Sequence, residues 1–170
     1  MALRIPVYWM FITVIFITAI HHWIGNIGAV FEPVAMGLVL APLPALLLSQ
    51  LGARGTGHFL ARLTLGRPEE TDIRMVRLLM SCAFLYSGVG IVVGNIQVLR
   101  NLAHPDAIGP GVAAAFMCLV YGMLVPIYLL PFLDSTAART LVRRASLFVL
   151  LVVPALMGFT YFTLSVAKAI

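Results

Sequence analysis

A chain of 170 residues that is 62% hydrophobic and only 10% charged is not a soluble globular domain, where roughly 45–50% of residues are apolar and about 25% charged. Its mean hydropathy of +1.06 describes an integral membrane protein with no length for a second sizeable domain. A net charge of +5 is compatible with nucleic acid or anionic lipid, but no basic run exceeds Arg143-Arg144, so the arginines read as cytoplasmic anchors of membrane helices.

A transmembrane helix needs about 20 mostly apolar residues. Segments 5–25, 33–51, 77–99, 112–133 and 145–167 meet or approach that length, which predicts an all-α integral membrane protein of five transmembrane helices in one membrane domain. The first span follows Arg4 as a signal peptide would. Its run is longer than a typical signal core, and no small-x-small site precedes His21-His22, so a retained helix is expected. After the second span, residues 52–76 form a cytoplasmic segment too short for a domain. ARGTGHFLARLTLG reads as an amphipathic continuation of helix two. RPEETDIRMVRLL reads as a helix start, where Pro68, Glu69, Glu70 and Asp72 suit a first turn. The third span ends in a polar loop expected to turn at Ala107-Ile108-Gly109-Pro110-Gly111 before the fourth span begins. Pro126 and Pro131 predict a kink near the inner end of the fourth span, and Pro154 a bend in the fifth. Tyr8, Trp9, Trp23, Tyr128 and Tyr161 fall mostly near span ends, as in an aromatic belt.

Positive charge is distributed unevenly among the loops. Arg54, Arg62, Arg67, Arg74 and Arg77 lie between spans two and three, Arg139, Arg143 and Arg144 between spans four and five, and Arg4 before span one. The other loops and the tail hold only Arg100 and Lys168. This predicts a cytoplasmic N-terminus and an external C-terminus.

Chemistry-bearing residues are sparse. The spans hold almost no ionisable side chains, which mark ion paths when present, so this chain is not expected to carry a proton-binding carboxylate through the bilayer. Glu32 and Asp106 sit at the outer face and Asp134 at the inner. Cys82 and Cys118 differ in depth by over about 10 Å at ~1.5 Å per residue, beyond the roughly 7 Å reach of a disulfide, so both read as packing residues. His21, His22 and His104 fall near the outer face and His58 inside. A haem or metal site would need His21 or His22 to meet His104 with further ligands, whereas lone interfacial histidines are more often solvated. No catalytic set stands out, and neither an enzyme activity nor a cofactor is expected.

Small residues form stripes. Ala83, Ser87, Gly90 and Gly94 recur at i+3 or i+4 on the third span. Ala114, Cys118 and Gly122 recur on the fourth, with Gly111 and Ala115 beside them. Such faces let helices approach closely. They describe either the packing of helices three and four within one protomer, or a surface that also meets another subunit or a partner helix.

Three stretches together resemble the MotA/TolQ/ExbB proton-channel family, most closely its flagellar stator branch. They are Ser87-Gly88-Val89-Gly90-Ile91-Val92-Val93-Gly94, the loop His104-Pro105-Asp106-Ala107-Ile108-Gly109-Pro110-Gly111, and Ala115-Phe116-Met117-Cys118-Leu119-Val120-Tyr121-Gly122. Gly28 to Pro33 with Met36 to Leu40 is similar to the family's loop into helix two. The resemblance covers residues 25–51 and 87–131. It implies helical hairpins assembled as a ring, a homo-oligomer such as a pentamer, around single-span helices of a MotB/ExbD-like partner in the bacterial inner membrane. The partner would supply the acidic residue past which ions flow. Ser87, Gly90, Ile91, Gly94, Ala115, Cys118, Leu119, Tyr121 and Gly122 would face the pore or the partner, and Pro105, Asp106, Gly109 and Pro110 would form the outer loop.

The chain departs from the pattern where the family places hydroxyls: its helix-three threonine falls at Ile91, and its two helix-four threonines at Cys118 and Leu119. A proline early in helix three falls at Phe84. The large cytoplasmic domain shrinks to about 25 residues, and a fifth span follows the fourth. The expectation is an ion-driven stator-like subunit. The alternatives are a non-conducting scaffold of the same fold and, on the outer histidines alone, a haem or metal electron carrier.

Overall fold

A computed structural model describes residues 4–24, 32–65, 68–102, 105–133 and 135–167. The chain runs α1 (Arg4–Ile24), α2 (Pro33–Leu40), α3 (Pro42–Thr64), α4 (Glu70–Arg100), α5 (Pro105–Leu129), a short 3₁₀ turn (Leu130–Phe132) and α6 (Ser135–Ala167). Among the described residues there is no strand, and the fold is an all-α membrane architecture. Four stretches are long and apolar enough to cross a membrane: Pro33–Thr64, Glu70–Arg100, Ile108–Phe132 and Thr136–Val166. α1 adds a shorter apolar run at Ile5–Thr18.

α2 runs into α3 because Ala41 keeps helical backbone angles (φ −65°, ψ −35°), and Pro42 only removes one N–H from the ladder. The true break is Gly52, at φ 68° and ψ 173°. A side chain is strained there, so glycine is the residue that fits. The break separates the apolar arm up to Leu51 from the amphipathic arm that carries Arg54, His58 and Arg62.

The amphipathic arm is clasped to the start of α4. Asp72 accepts from the Glu69 backbone N–H at 2.9 Å, and the Glu69 side chain caps the backbone in return. Arg62 Nη2 donates to Asp72 Oδ1 at 2.9 Å and Arg62 Nη1 lies 3.2 Å from Glu69 Oε1. Asp72 is 3% exposed, a burial a carboxylate tolerates when charge and hydrogen bonds are matched. Beneath the clasp, Phe59, Leu63, Val76, Leu79, Met80 and Phe132 pack into one apolar cluster.

The expected turn at Ala107–Gly111 does not form. α5 begins at Pro105 and runs unbroken through Pro110. Glycine and proline together read as a turn, but a proline in the second turn of a helix costs one backbone bond. Among the described glycines only Gly52 has a positive φ. Gly111 serves close approach rather than turning. α5 also continues through Pro126 and tightens to 3₁₀ geometry at Pro131.

The end of α5 is held by α1. The last carbonyls of a helix lack intrahelical donors, and Pro131 has no N–H to offer Ile127. Tyr8 Oη donates to the Ile127 carbonyl at 3.0 Å, and Trp9 Nε1 donates to the Tyr128 carbonyl at 2.8 Å. The Thr13 and Tyr128 hydroxyls share a bond of 2.7 Å. In a bilayer, where water supplies no partners, such capping is required.

Candidate functional site

The α4–α5 pair is the tightest contact in the fold, and glycine sets its spacing. A methyl group on Gly94 would lie 2.8 Å from the Ala115 Cβ and 2.9 Å from the Gly111 carbonyl oxygen. On Gly111 it would lie 2.8 Å from Val98 Cγ2. On Gly122 it would strike the Ser87 Cβ and sit 3.2 Å from the Ala83 carbonyl oxygen. On Gly90 it would meet Cys118, its Cβ at 2.9 Å. Side chain therefore gives way to backbone at four successive levels. Ser87 Oγ donates to the Cys118 carbonyl at 2.9 Å, a bond between membrane helices worth about 0.6 kcal/mol and up to ~2.

The structure brings the expected residues together along this seam. Ser87, Gly90, Gly94, Ala115, Cys118 and Gly122 meet across it and are buried. Ile91 and Leu119 are also buried, packed with Ala35 and Val39 of α2, Leu156 of α6 and Tyr121. The Tyr121 hydroxyl accepts from the Glu32 backbone N–H at 3.3 Å, tying the entry of α2 to α5. These side chains are thus covered already within a single chain. Val98, the next step of the α4 stripe after Gly94, is fully buried and belongs to the seam. The i+4 spacing from Gly94 was the signal for it, hidden by its size.

The opposite face of α4 is left open. Leu85, Val89, Val92, Ile96 and Leu99 are exposed, repeating every four and three residues as an apolar stripe on the far side from α5. Gln97, Arg100 and Asn101 close one end of that face around a shallow hollow of about 480 Å³. The stretch 78–99 between Arg77 and Arg100 holds no charged residue. The site therefore offers a rigid apolar wall with no proton-accepting carboxylate of its own.

Several expected residues lie outside what is described. The side chains of His21, His22, Pro105 and Asp106, and the whole of His104, are among them. Gly109 and Pro110 are exposed on α5 rather than in a loop. Among the described residues no three His, Cys, Asp or Glu side chains gather as metal ligands would. Cys82 and Cys118 are both free thiols.

The model of the MotA/TolQ/ExbB proton channel family matches residues 66–147. Motility protein A of Aquifex aeolicus (strain VF5) is 34% identical over 56 residues, 33% of this chain. That stretch covers only 22% of the relative's own length. No solved structure matches. The glycine-seamed hairpin of α4 and α5 lies wholly inside the matched residues, and it is there that the chain is similar to the MotA/TolQ/ExbB proton channel family.

Proposed function

We propose that the protein is a membrane subunit of a stator-like, ion-driven complex, a homo-oligomeric ring around single-span helices of a MotB/ExbD-like partner. The observation that carries this reading is the glycine-spaced α4–α5 hairpin inside the family-matched residues. The hairpin forms one stave of the ring. Ser87, Gly90, Gly94, Ala115, Cys118 and Gly122 fix the spacing of its two helices, and the stripe of Leu85, Val89, Val92 and Ile96 faces a neighbour or the partner. The carboxylate that takes up the ion belongs to the partner, because α4 between Arg77 and Arg100 has none. The arginine-rich end of the bundle faces the cytoplasm by the positive-inside rule, which places the N-terminus inside, the C-terminus outside and residues 52–76 in the cytoplasm.

A non-conducting scaffold of the same fold is the second reading. It is favoured by Ile91 and Leu119, buried apolar side chains where hydroxyls of an ion path are expected. Purification with a co-expressed single-span partner, followed by native mass measurement and proton flux in liposomes, tests both. A ring with partner-dependent flux supports the stator, and the same ring without flux supports the scaffold. A monomer that retains no partner overturns both.

A further inference from the structure

Glu32 lies deeper in the bundle than its place in the sequence suggests. The α4–α5 seam sets the levels: Gly122 faces Ser87, Cys118 faces Gly90, Ala115 faces Gly94 and Gly111 faces Val98. Counting along these antiparallel pairs puts Tyr121 level with residues 87–88 of α4. At ~1.5 Å per residue, Arg100 is about 20 Å farther along α4 and Arg77 about 15 Å the other way. The Tyr121 hydroxyl accepts from the Glu32 backbone N–H at 3.3 Å, and a tyrosine side chain spans only part of the way to Arg100. Glu32 is therefore held between the two charged ends of α4, which corrects the expectation of a place at the outer face.

The next two turns of α2 agree with that depth. Ala35 and Val39 pack with Ile91, Ala115, Cys118 and Leu119, and the Glu32 charge reaches the Cys118 thiol. The stretches 33–51, 78–99, 108–132 and 145–167 hold no Asp, Glu, Lys, Arg or His. The titratable side chains that α5 brings near Glu32 are Cys118 and Tyr121, and α4 and α6 bring no charge. The Glu32 backbone is bonded, its N–H to Tyr121 and its carbonyl to the Met36 N–H at 2.9 Å. The half-buried side chain does not cap α2, and among the described residues its carboxylate has no ion-pair partner.

We infer that Glu32 is a proton-binding site inside the membrane, on the α2 side of the α4–α5 seam. A charged carboxylate in hydrocarbon is costly unless it is paired, and taking up a proton removes the charge. The start of α2 pulls the other way, because the positive end of a helix dipole favours an anion. Between these opposed influences the carboxylate and the neutral acid exchange by gain and loss of one proton, with no other reactant. A metal cation fits less well: it needs several oxygen ligands, and the cluster around Ala35 and Val39 offers one side-chain oxygen, that of Tyr121. The open stripe of Leu85, Val89, Val92 and Ile96 lies on the other side of α4. This proton is thus distinct from one taken up by a partner's carboxylate, and the site needs neither ring nor partner.

Apolar carbodiimides react with carboxyl groups that are protonated and sit in an apolar setting, leaving a stable N-acylurea. The full-length protein in lipid vesicles is treated with dicyclohexylcarbodiimide over a pH series, and labelled peptides are read by mass spectrometry. The expected result is a label on Glu32 and none on Glu70, which is exposed at the start of α4. The Glu32 rate should fall about tenfold per unit of pH on the alkaline side and be unchanged by excess sodium ions. Infrared difference spectra between acid and alkaline buffer should show a protonated-carboxyl band that Glu32→Gln removes. No label on Glu32 at any pH, equal labelling of Glu70, a rate indifferent to pH, or protection by sodium each overturns the proposal, as does a band that persists unchanged in a folded Glu32→Gln protein. The labelling arm uses the unaltered chain, so it decides the matter even where the variant does not fold.

Discussion

α4 meets its two neighbours in opposite ways. Toward α5 it presents Ala83, Ser87, Gly90 and Gly94, and the helices close until a single added carbon has nowhere to go. Toward α6 it presents Ser81, Phe84 and Leu85, and contact is made by the tips of rings, Phe84 and Phe148 lying 5.7 Å apart. Of the most apolar stretch of each helix, 39% is buried in α4 and 11% in α6. In lipid no hydrophobic force drives helices together, so closeness is decided by side-chain size and hydrogen bonds. Small residues produce an interface that excludes everything else, whereas large ones hold helices apart and leave open space between them.

The sharpest way to break this contrast is to thicken the tight side. Gly122→Leu drives a side chain into Ser87 and the Ala83 carbonyl, where backbone cannot yield. A loss of about 3 kcal/mol or more is expected, read as a fall in thermal midpoint or loss of a monodisperse peak in detergent. A variant within ~0.5 kcal/mol of the parent would show that the seam is not closed. Next comes the clasp that positions the base of α4. Asp72→Ala removes half of the cap and leaves Arg62, itself partly open to solvent, without its buried partner; about 2 kcal/mol is expected in the same unfolding measurement. Trp9→Phe keeps the ring against Phe132 but leaves the Tyr128 carbonyl without its donor, for about 1 kcal/mol. Gly88→Ala should move stability least and in the opposite direction. A methyl group there meets nothing within 4 Å, so the higher helix propensity of alanine is expected to add up to about 1 kcal/mol. A Gly88→Ala protein less stable than its parent would mean that this face is not open.

What the sequence revealed follows from how local each cause is. The start of α4 was legible because Pro68, Glu69, Glu70 and Asp72 act within one turn, and the small stripe because helical spacing puts Ala83, Ser87, Gly90 and Gly94 on one side. The start of α5 was misread for a related reason. Gly109-Pro110-Gly111 has the local chemistry of a turn, and only the neighbouring helix reveals that Gly111 is small so that Val98 can pack against it. The same limit hid the depth of Glu32. A carboxylate just before an apolar span reads as its boundary, and only the bond to Tyr121, 89 residues away, draws it inward. It also hid the anchoring of α1, whose donors reach carbonyls 119 residues away.

That long reach has a consequence for biosynthesis. Tyr8 and Trp9 leave the ribosome well before the carbonyls of Ile127 and Tyr128 that they cap. At translation rates of about 5–20 residues per second the interval is roughly ten seconds. During that time the Tyr8 and Trp9 donors wait without the carbonyls they will cap. The strand of chain made last before α6 is then closed off by the helix made first, so the bundle is sealed by its own beginning, and premature release of α1 would leave the end of α5 uncapped in the membrane.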